Sequence, residues 1–345
     1  MKTREYQYDN LRFLLIALVV LGHLLEIARG IPHWKILYDV IYSFHMPAFL
    51  FLSGMFARLD RGKFLFGLCL PYLGLQVLYQ IWDGFLLERS VEVGIAQPYW
   101  LLWYLFALII YHLLLPIYDT PDRQKRILLL AGAFAISLLA GFDKSIGYTW
   151  SASRVLVFQP WFLLGYYFHQ TKEPQRRWRE MRPIWRKVFV AVCALCCWVL
   201  QWLLYRCKVA SNILYGASSY TALECRWTVR LLAECCAGSM ILLLLLVSEE
   251  WLRRRIPVLT TLGQNSLSIY IFHGFILRWI RYRQSGLIDG PLVLVLVWAG
   301  LLLLLGNPLI GEMAKFIFGG GWYIQLRNSQ KKAERNENWL PEAVE

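Results

Sequence analysis

Residues 8–26 read YDNLRFLLIALVVLGHLLE, and the fold turns on this stretch. From Phe13 to Leu25 every residue is apolar or Gly except His23. A charged step, Asp9 to Arg12, comes just before the run, and Glu26 closes it. The pattern predicts a membrane-spanning helix with an imidazole inside it. At about 1.5 Å of rise per residue, Arg12 and His23 lie roughly 16 Å apart along the axis. With Arg12 at one membrane face, His23 falls near mid-bilayer, where a polar group is costly and a functional role is the default reading. The plainer reading is a histidine hydrogen-bonded to a neighbouring helix.

The rest of the chain has the same character. Of 345 residues, 58% are hydrophobic, with 16 Trp, 19 Tyr and 19 Phe, against roughly 45–50% apolar in a soluble domain. This is the composition of an all-α polytopic membrane protein. The +13 net charge does not indicate a nucleic-acid partner here, because its placement follows the loops. No small-residue cleavage site follows the first apolar run, so that helix reads as a retained anchor rather than a removed leader.

At about 20 apolar residues per span, ten helices are predicted, near residues 11–28, 37–57, 64–86, 99–118, 127–143, 155–170, 184–205, 229–250, 260–280 and 291–317. An N-terminus inside puts 24 of the 36 Lys and Arg on the cytoplasmic side, including Lys2, Arg4, Arg12, Lys172 and the cluster from Arg176 to Lys187. That bias predicts both termini inside. The basic cluster is suited to anionic lipid. The polar residues 319–345 read as a cytoplasmic tail without fixed structure. Six of eight cysteines fall in apolar runs. Cys207 and Cys225 lie in an outward segment and are open to pairing there.

Several stretches then resemble one family. Arg12, ten residues and His23 reproduce the first-helix spacing of the membrane-bound acyltransferase 3 family. IYSFHMPAFLFLSGMF, from Ile41 to Phe56, resembles its phenylalanine-rich segment ending in Ser-Gly, and Ser43 to Pro47 is closest to the fucose 4-O-acetylase-like subgroup. CLPYLGLQ from Cys69, PYWLLWYLFALIIY from Pro98, FQPWFLLGYYF from Phe158 and NSLSIYIFHGF from Asn265 extend the resemblance over about residues 5–318. It implies a catalytic core over residues 1–318 that moves an acyl group, usually acetyl from cytoplasmic acetyl-CoA, to hydroxyls of surface or exported glycans. It also implies His23 as the catalytic residue and Arg12 near the donor. One departure stands out. Many members carry two arginines three apart before the proline of the third helix, where this chain has Leu65 and Leu68 before Pro71.

The residue chemistry agrees. Acyl transfer from a thioester to an alcohol needs a base, and imidazole, with an unperturbed pKa of about 6.5, suits that task. His23 either takes the hydroxyl proton directly or attacks first and carries the acyl group. Glu26, at i+3, is placed to orient the ring. Arg12, Arg58, Arg61 and Lys63, at the inner mouths of the first three helices, are candidate partners for coenzyme A phosphates. The last three serve equally well as a topology signal. His45, Asp83 and Trp103 are candidate acceptor contacts. His45 also reads as an interhelical hydrogen bond and Trp103 as part of an interfacial aromatic belt. Among the other histidines, His273 is the best placed, near mid-helix beside Gly274. No metal motif is present. The expectation is a plasma-membrane O-acyltransferase for an extracytoplasmic glycan or other cell-envelope acceptor. A transporter or flippase for a glycan or lipid-linked intermediate is the rival class.

Overall fold

The computed structural model describes residues 5–337 apart from 29–31, 89, 91–93, 95, 172, 284 and 289. Lys2, Arg4 and Lys172 therefore lie outside the described residues, as do residues 338–345 of the tail. Among the described residues the regular structure is entirely helical. Each of the ten expected segments contains a helix. Among the described residues, six helices are long and apolar enough to cross a membrane, namely Tyr6–Ile27, Trp34–Phe56, Arg61–Leu87, Trp100–Tyr118, Pro183–Arg206 and Trp227–Trp251. Pro291–Leu305 and Pro308–Phe318, bent by 63° at their junction, form a seventh if taken as one broken span. The helices Arg123–Leu139, Ala152–Gln170 and Ser266–Arg283 are shorter or more polar. The chain is thus an all-α integral membrane protein.

The first helix, Tyr6–Ile27, stands at the centre. It packs against the second helix, Pro32–Phe56, and against Trp227–Trp251, Pro257–Gln264, Ser266–Arg283 and Pro291–Leu305. Its N-terminal end is buried in a polar cluster rather than dissolved in water. Asn10 Nδ2 donates to the carbonyls of Leu252 at 2.8 Å and Arg254 at 3.0 Å, and Thr260 Oγ1 donates to Asn10 Oδ1 at 2.7 Å. Gly263 allows this contact, because a Cβ there would lie 1.8 Å from the Asp9 carbonyl oxygen.

The second helix and Ala152–Gln170 make the tightest pair. A Cβ on Gly54 would fall 2.0 Å from the Phe162 carbonyl oxygen, and one on Gly165 would fall 1.9 Å from that of Phe51. Small residues facing each other let two backbones approach within a membrane, where close packing replaces the hydrophobic drive. The Ser-Gly of the second helix therefore has a packing reason. Ser53 in turn hydrogen-bonds Tyr104 Oη at 2.7 Å.

Polar side chains satisfy backbone freed where helices break, as the bilayer requires. At the kink near Gly306, Asn265 Nδ2 donates to the Gly306 carbonyl at 2.9 Å and Ser268 Oγ to that of Leu305 at 2.6 Å. This accounts for the Asn-Ser-Leu-Ser phrase. Asp60 caps Arg61–Phe64 by accepting from the Gly62 and Lys63 amides, both at 3.1 Å. A π-helical turn, Leu65–Cys69, follows that cap. The tail does not start as coil. Residues Gly321–Glu337 are helical, with Tyr323 stacked 4.6 Å from Phe66. Cys207 and Cys225 are free thiols in the structure.

Candidate functional site

His23 projects from the central helix toward the second. Its Nδ1 lies 3.3 Å from Tyr42 Oη and 3.7 Å from Glu26 Oε2. Tyr42 donates its single hydroxyl proton to Glu26 Oε1 at 2.9 Å, so toward His23 its oxygen acts as acceptor. That assignment puts the imidazole proton on Nδ1 and leaves the lone pair on Nε2. Tyr38 Oη donates to the same carboxylate oxygen at 3.3 Å and contacts Tyr215 Oη. One carboxylate, Glu26, therefore anchors two tyrosines and faces the imidazole.

Two further rings hold His23. Trp100 meets it edge-on with centroids 4.9 Å apart, and His273 stacks on it at 5.6 Å. His273 and His45 each donate Nδ1–H at 2.8 Å to the carbonyl four residues back, Ile269 and Ile41. Both are consequently acceptors at Nε2. His273 is fully buried, and its Nε2 has no hydrogen-bond partner among the described residues. His112 bonds Leu108 in the same way.

A chain of three small cavities runs through this point. The first, about 260 Å³, is lined by Arg12, Phe49, Ser53, Phe56, Tyr104 and Tyr270 among others. The second is a neck of about 20 Å³ whose walls include Phe49, Tyr104 and Tyr270 again, with Met46, Trp103 and His23. The third, about 100 Å³, holds His23 together with Glu26, Tyr42, His45, Trp103 and Arg154. Shared walls place the three end to end, with Arg12 at one end and Arg154 at the other. The neck has room for about one water. Met46 lines both the neck and the third cavity, and its flexible thioether is suited to let a ligand past. A larger cavity, about 700 Å³ between Lys35–Val40 and Gln201–Ser211, does not reach His23 and meets the third cavity only at Leu214.

The candidates from the sequence separate accordingly. His23, Glu26, His45 and Trp103 converge on one cavity, and Arg12 lines the other end of the path. Arg12 also lies 3.5 Å from Asp9 and over the Phe56 ring at 4.6 Å. Arg58, Arg61 and Lys63 are exposed on the stretch leading into the third helix and line none of these cavities. Asp83 lies outside their lining too. It is buried in an ion pair with Arg278, its Oδ1 accepting from Nε at 3.0 Å, and it contacts Tyr99. The Arg278 guanidinium lies 5.5 Å from the Trp100 ring, so Asp83 reaches His23 only through two intermediaries. Sequence reasoning left Tyr42, Arg154 and Tyr215 unassigned, and read Trp100 with Trp103 as an aromatic for a sugar or for the interfacial belt. The signal for Tyr42 was its place within the Ile41–Phe56 segment, three residues before His45.

An all-helical membrane protein with a histidine between two cavities defines a class in which two ligands can meet at one side chain. The comparisons give that class its family. Residues 5–311 match the family described as an acyltransferase domain, and the chain belongs to this acyltransferase 3 family. The nodulation protein NolL of Sinorhizobium fredii (strain NBRC 101917 / NGR234) is 26% identical over 326 residues, covering 86% of this chain and 84% of its own. No solved structure matches the chain. The protein is a membrane acyltransferase.

Proposed function

We propose that the protein moves an acetyl group from cytoplasmic acetyl-CoA to a hydroxyl of an extracytoplasmic glycan or related cell-envelope acceptor, in the plasma membrane. The observation carrying this reading is the position of His23 at the junction of two cavities, one leading to Arg12 and the other to Arg154. The Arg12 cavity, at about 260 Å³, is below the roughly 300–1,000 Å³ of a pocket that encloses a drug-sized ligand. Its size favours the narrow pantetheine arm and acyl group, with the nucleotide left at the mouth. Arg12 meets the donor there, and Arg58, Arg61 and Lys63 serve its phosphates from the exposed edge.

The acceptor hydroxyl loses its proton to His23 Nε2 as its oxygen attacks the thioester carbonyl. Glu26, with Tyr38 and Tyr42, stabilises the imidazolium that results. The imidazolium then protonates the departing coenzyme A thiolate. The equivalent two-step route has His23 carry the acyl group first. His45 and Trp103 contact the acceptor. Family membership favours this reading over transport of a glycan or lipid-linked intermediate.

The test uses membranes containing the full chain, radiolabelled acetyl-CoA and glycans extracted from the producing cells. His23→Ala, expressed at the wild-type level, is expected to abolish label transfer. Normal transfer by that variant would count against the mechanism.

A further inference from the structure

The cavity that holds His23 also holds a cation that the mechanism above leaves idle. Arg154 sits in the first turn of Ala152–Gln170 and lines the cavity with His23 and Glu26. Its guanidinium lies over the rings of Trp103 and Tyr148, 5.2 Å from each centroid. Among the described residues it makes neither an ion pair nor a hydrogen bond. Glu26, in the same cavity, is already engaged by Tyr38, Tyr42 and His23. Arg154 therefore shares the cavity with a carboxylate but makes no direct ion pair with it, and its guanidinium N–H groups are left without an acceptor among the described residues.

The backbone is arranged to hold Arg154 there. Trp150 and Ser151, just before it, take φ of 54° and 48°, the left-handed region that L residues rarely adopt. Ser153 Oγ donates to the Gly216 carbonyl at 2.6 Å, and Tyr111 Oη to that of Val155 at 2.7 Å. Both neighbours of Arg154 are thus tied to other elements. Strain of this kind persists where surrounding structure imposes it, and it gathers at functional positions.

We propose that Arg154 is a catalytic residue that stabilises the oxyanion formed during acyl transfer. This rests on the acyl-transfer reading above. When the acceptor oxygen bonds to the thioester carbon, the carbonyl π pair moves onto its oxygen. Collapse restores the carbonyl, breaks the carbon–sulfur bond and expels the thiolate, which takes the proton held by His23. The same oxyanion arises if the imidazole attacks first. A preorganised cationic donor in a site poor in water is the usual means of stabilising such a charge. The remaining donors suit the task less well, since Tyr42 spends its proton on Glu26.

The test places the full chain in lipid nanodiscs with acetyl-CoA and the extracted glycans. Arg154→Gln is expected to lower kcat by about 10²–10³-fold, the usual effect of losing one oxyanion donor. KM for both substrates stays within about twofold of wild type. Arg154→Lys keeps part of the rate, and added guanidinium restores part of it to Arg154→Ala. Thermal unfolding of all three variants reports folding. An unchanged kcat, or a raised acceptor KM at unchanged kcat, overturns the assignment; the second result would make Arg154 an acceptor anchor. A turnover-free readout is the infrared carbonyl stretch of bound [1-¹³C]acetyl-CoA, expected at lower frequency in wild type than in Arg154→Gln. If wild type binds acetyl-CoA but transfers nothing, the acyl-transfer reading fails. Equal carbonyl frequencies in the two proteins overturn the Arg154 assignment whether or not transfer is seen, and a difference upholds it only together with the lowered kcat of Arg154→Gln.

Discussion

The imidazoles of His23 and His273 lie stacked, 5.6 Å between centroids and 26° from parallel. They come from the first helix and from Ser266–Arg283, so the contact depends on how those two helices pack. Gly274, next to His273, admits Tyr79 and Leu101 so closely that a Cβ would lie 2.2 Å from Tyr79 Oη. The backbone behind His273 is thereby held against its neighbours. His273→Ala removes one wall of the His23 ring and frees it to turn. A loss of alignment of about 1 Å costs on the order of 10²-fold in rate, and kcat in the nanodisc assay is expected to fall by about that factor with acetyl-CoA binding retained.

Glu26→Gln tests the carboxylate. The amide oxygen still accepts from Tyr38 and Tyr42, so the scaffold around His23 is preserved, while the charge that supports imidazolium is removed. We expect kcat to drop by about 10²-fold, within the range attributed to a positioned acid–base partner, and the unfolding temperature to move little. Tyr42→Phe, which removes the acceptor for Nδ1–H, is expected to show a similar loss in the same assay.

Asp83 and Arg278 are expected to report stability first and rate second. Their side chains are 2% and 13% exposed, so removing one partner leaves a nearly buried charge uncompensated. Asp83→Asn should destabilise the fold by about 3–5 kcal/mol, read as a lowered denaturation midpoint in detergent. The double variant Asp83→Asn with Arg278→Met should recover much of that. Its remaining rate defect would measure what the Arg278–Trp100 contact adds to His23 placement.

Gly54→Ala and Gly165→Ala test the helix crossing. Each places a methyl within 2.0 Å of a facing carbonyl oxygen, so the second helix and Ala152–Gln170 must separate. Overpacking of this sort costs about 1–3 kcal/mol or more. Reduced yield of monodisperse protein is the expected result. Gly74→Ala, where nothing lies within 4 Å, is the matched control and should behave as wild type.

The chain by itself determined that the protein is helical and membrane-embedded, because runs of apolar residues near 20 in length admit little else. It also marked Arg12, His23 and Glu26, since a charged or titratable group inside such a run is conspicuous. His45 and Trp103 were visible as candidates, each with a plainer reading beside it, and the fold brings both to the cavity that holds His23. The tertiary structure alone decided which residues meet. Tyr42, Trp100 and His273 reach His23 from three separate segments and Arg154 joins its cavity from a fourth, and no periodicity along one helix records the rotation of its neighbours. Asp83 carries the same lesson in reverse. A carboxylate near a helix end reads as available until packing brings Arg278, 195 residues away, against it.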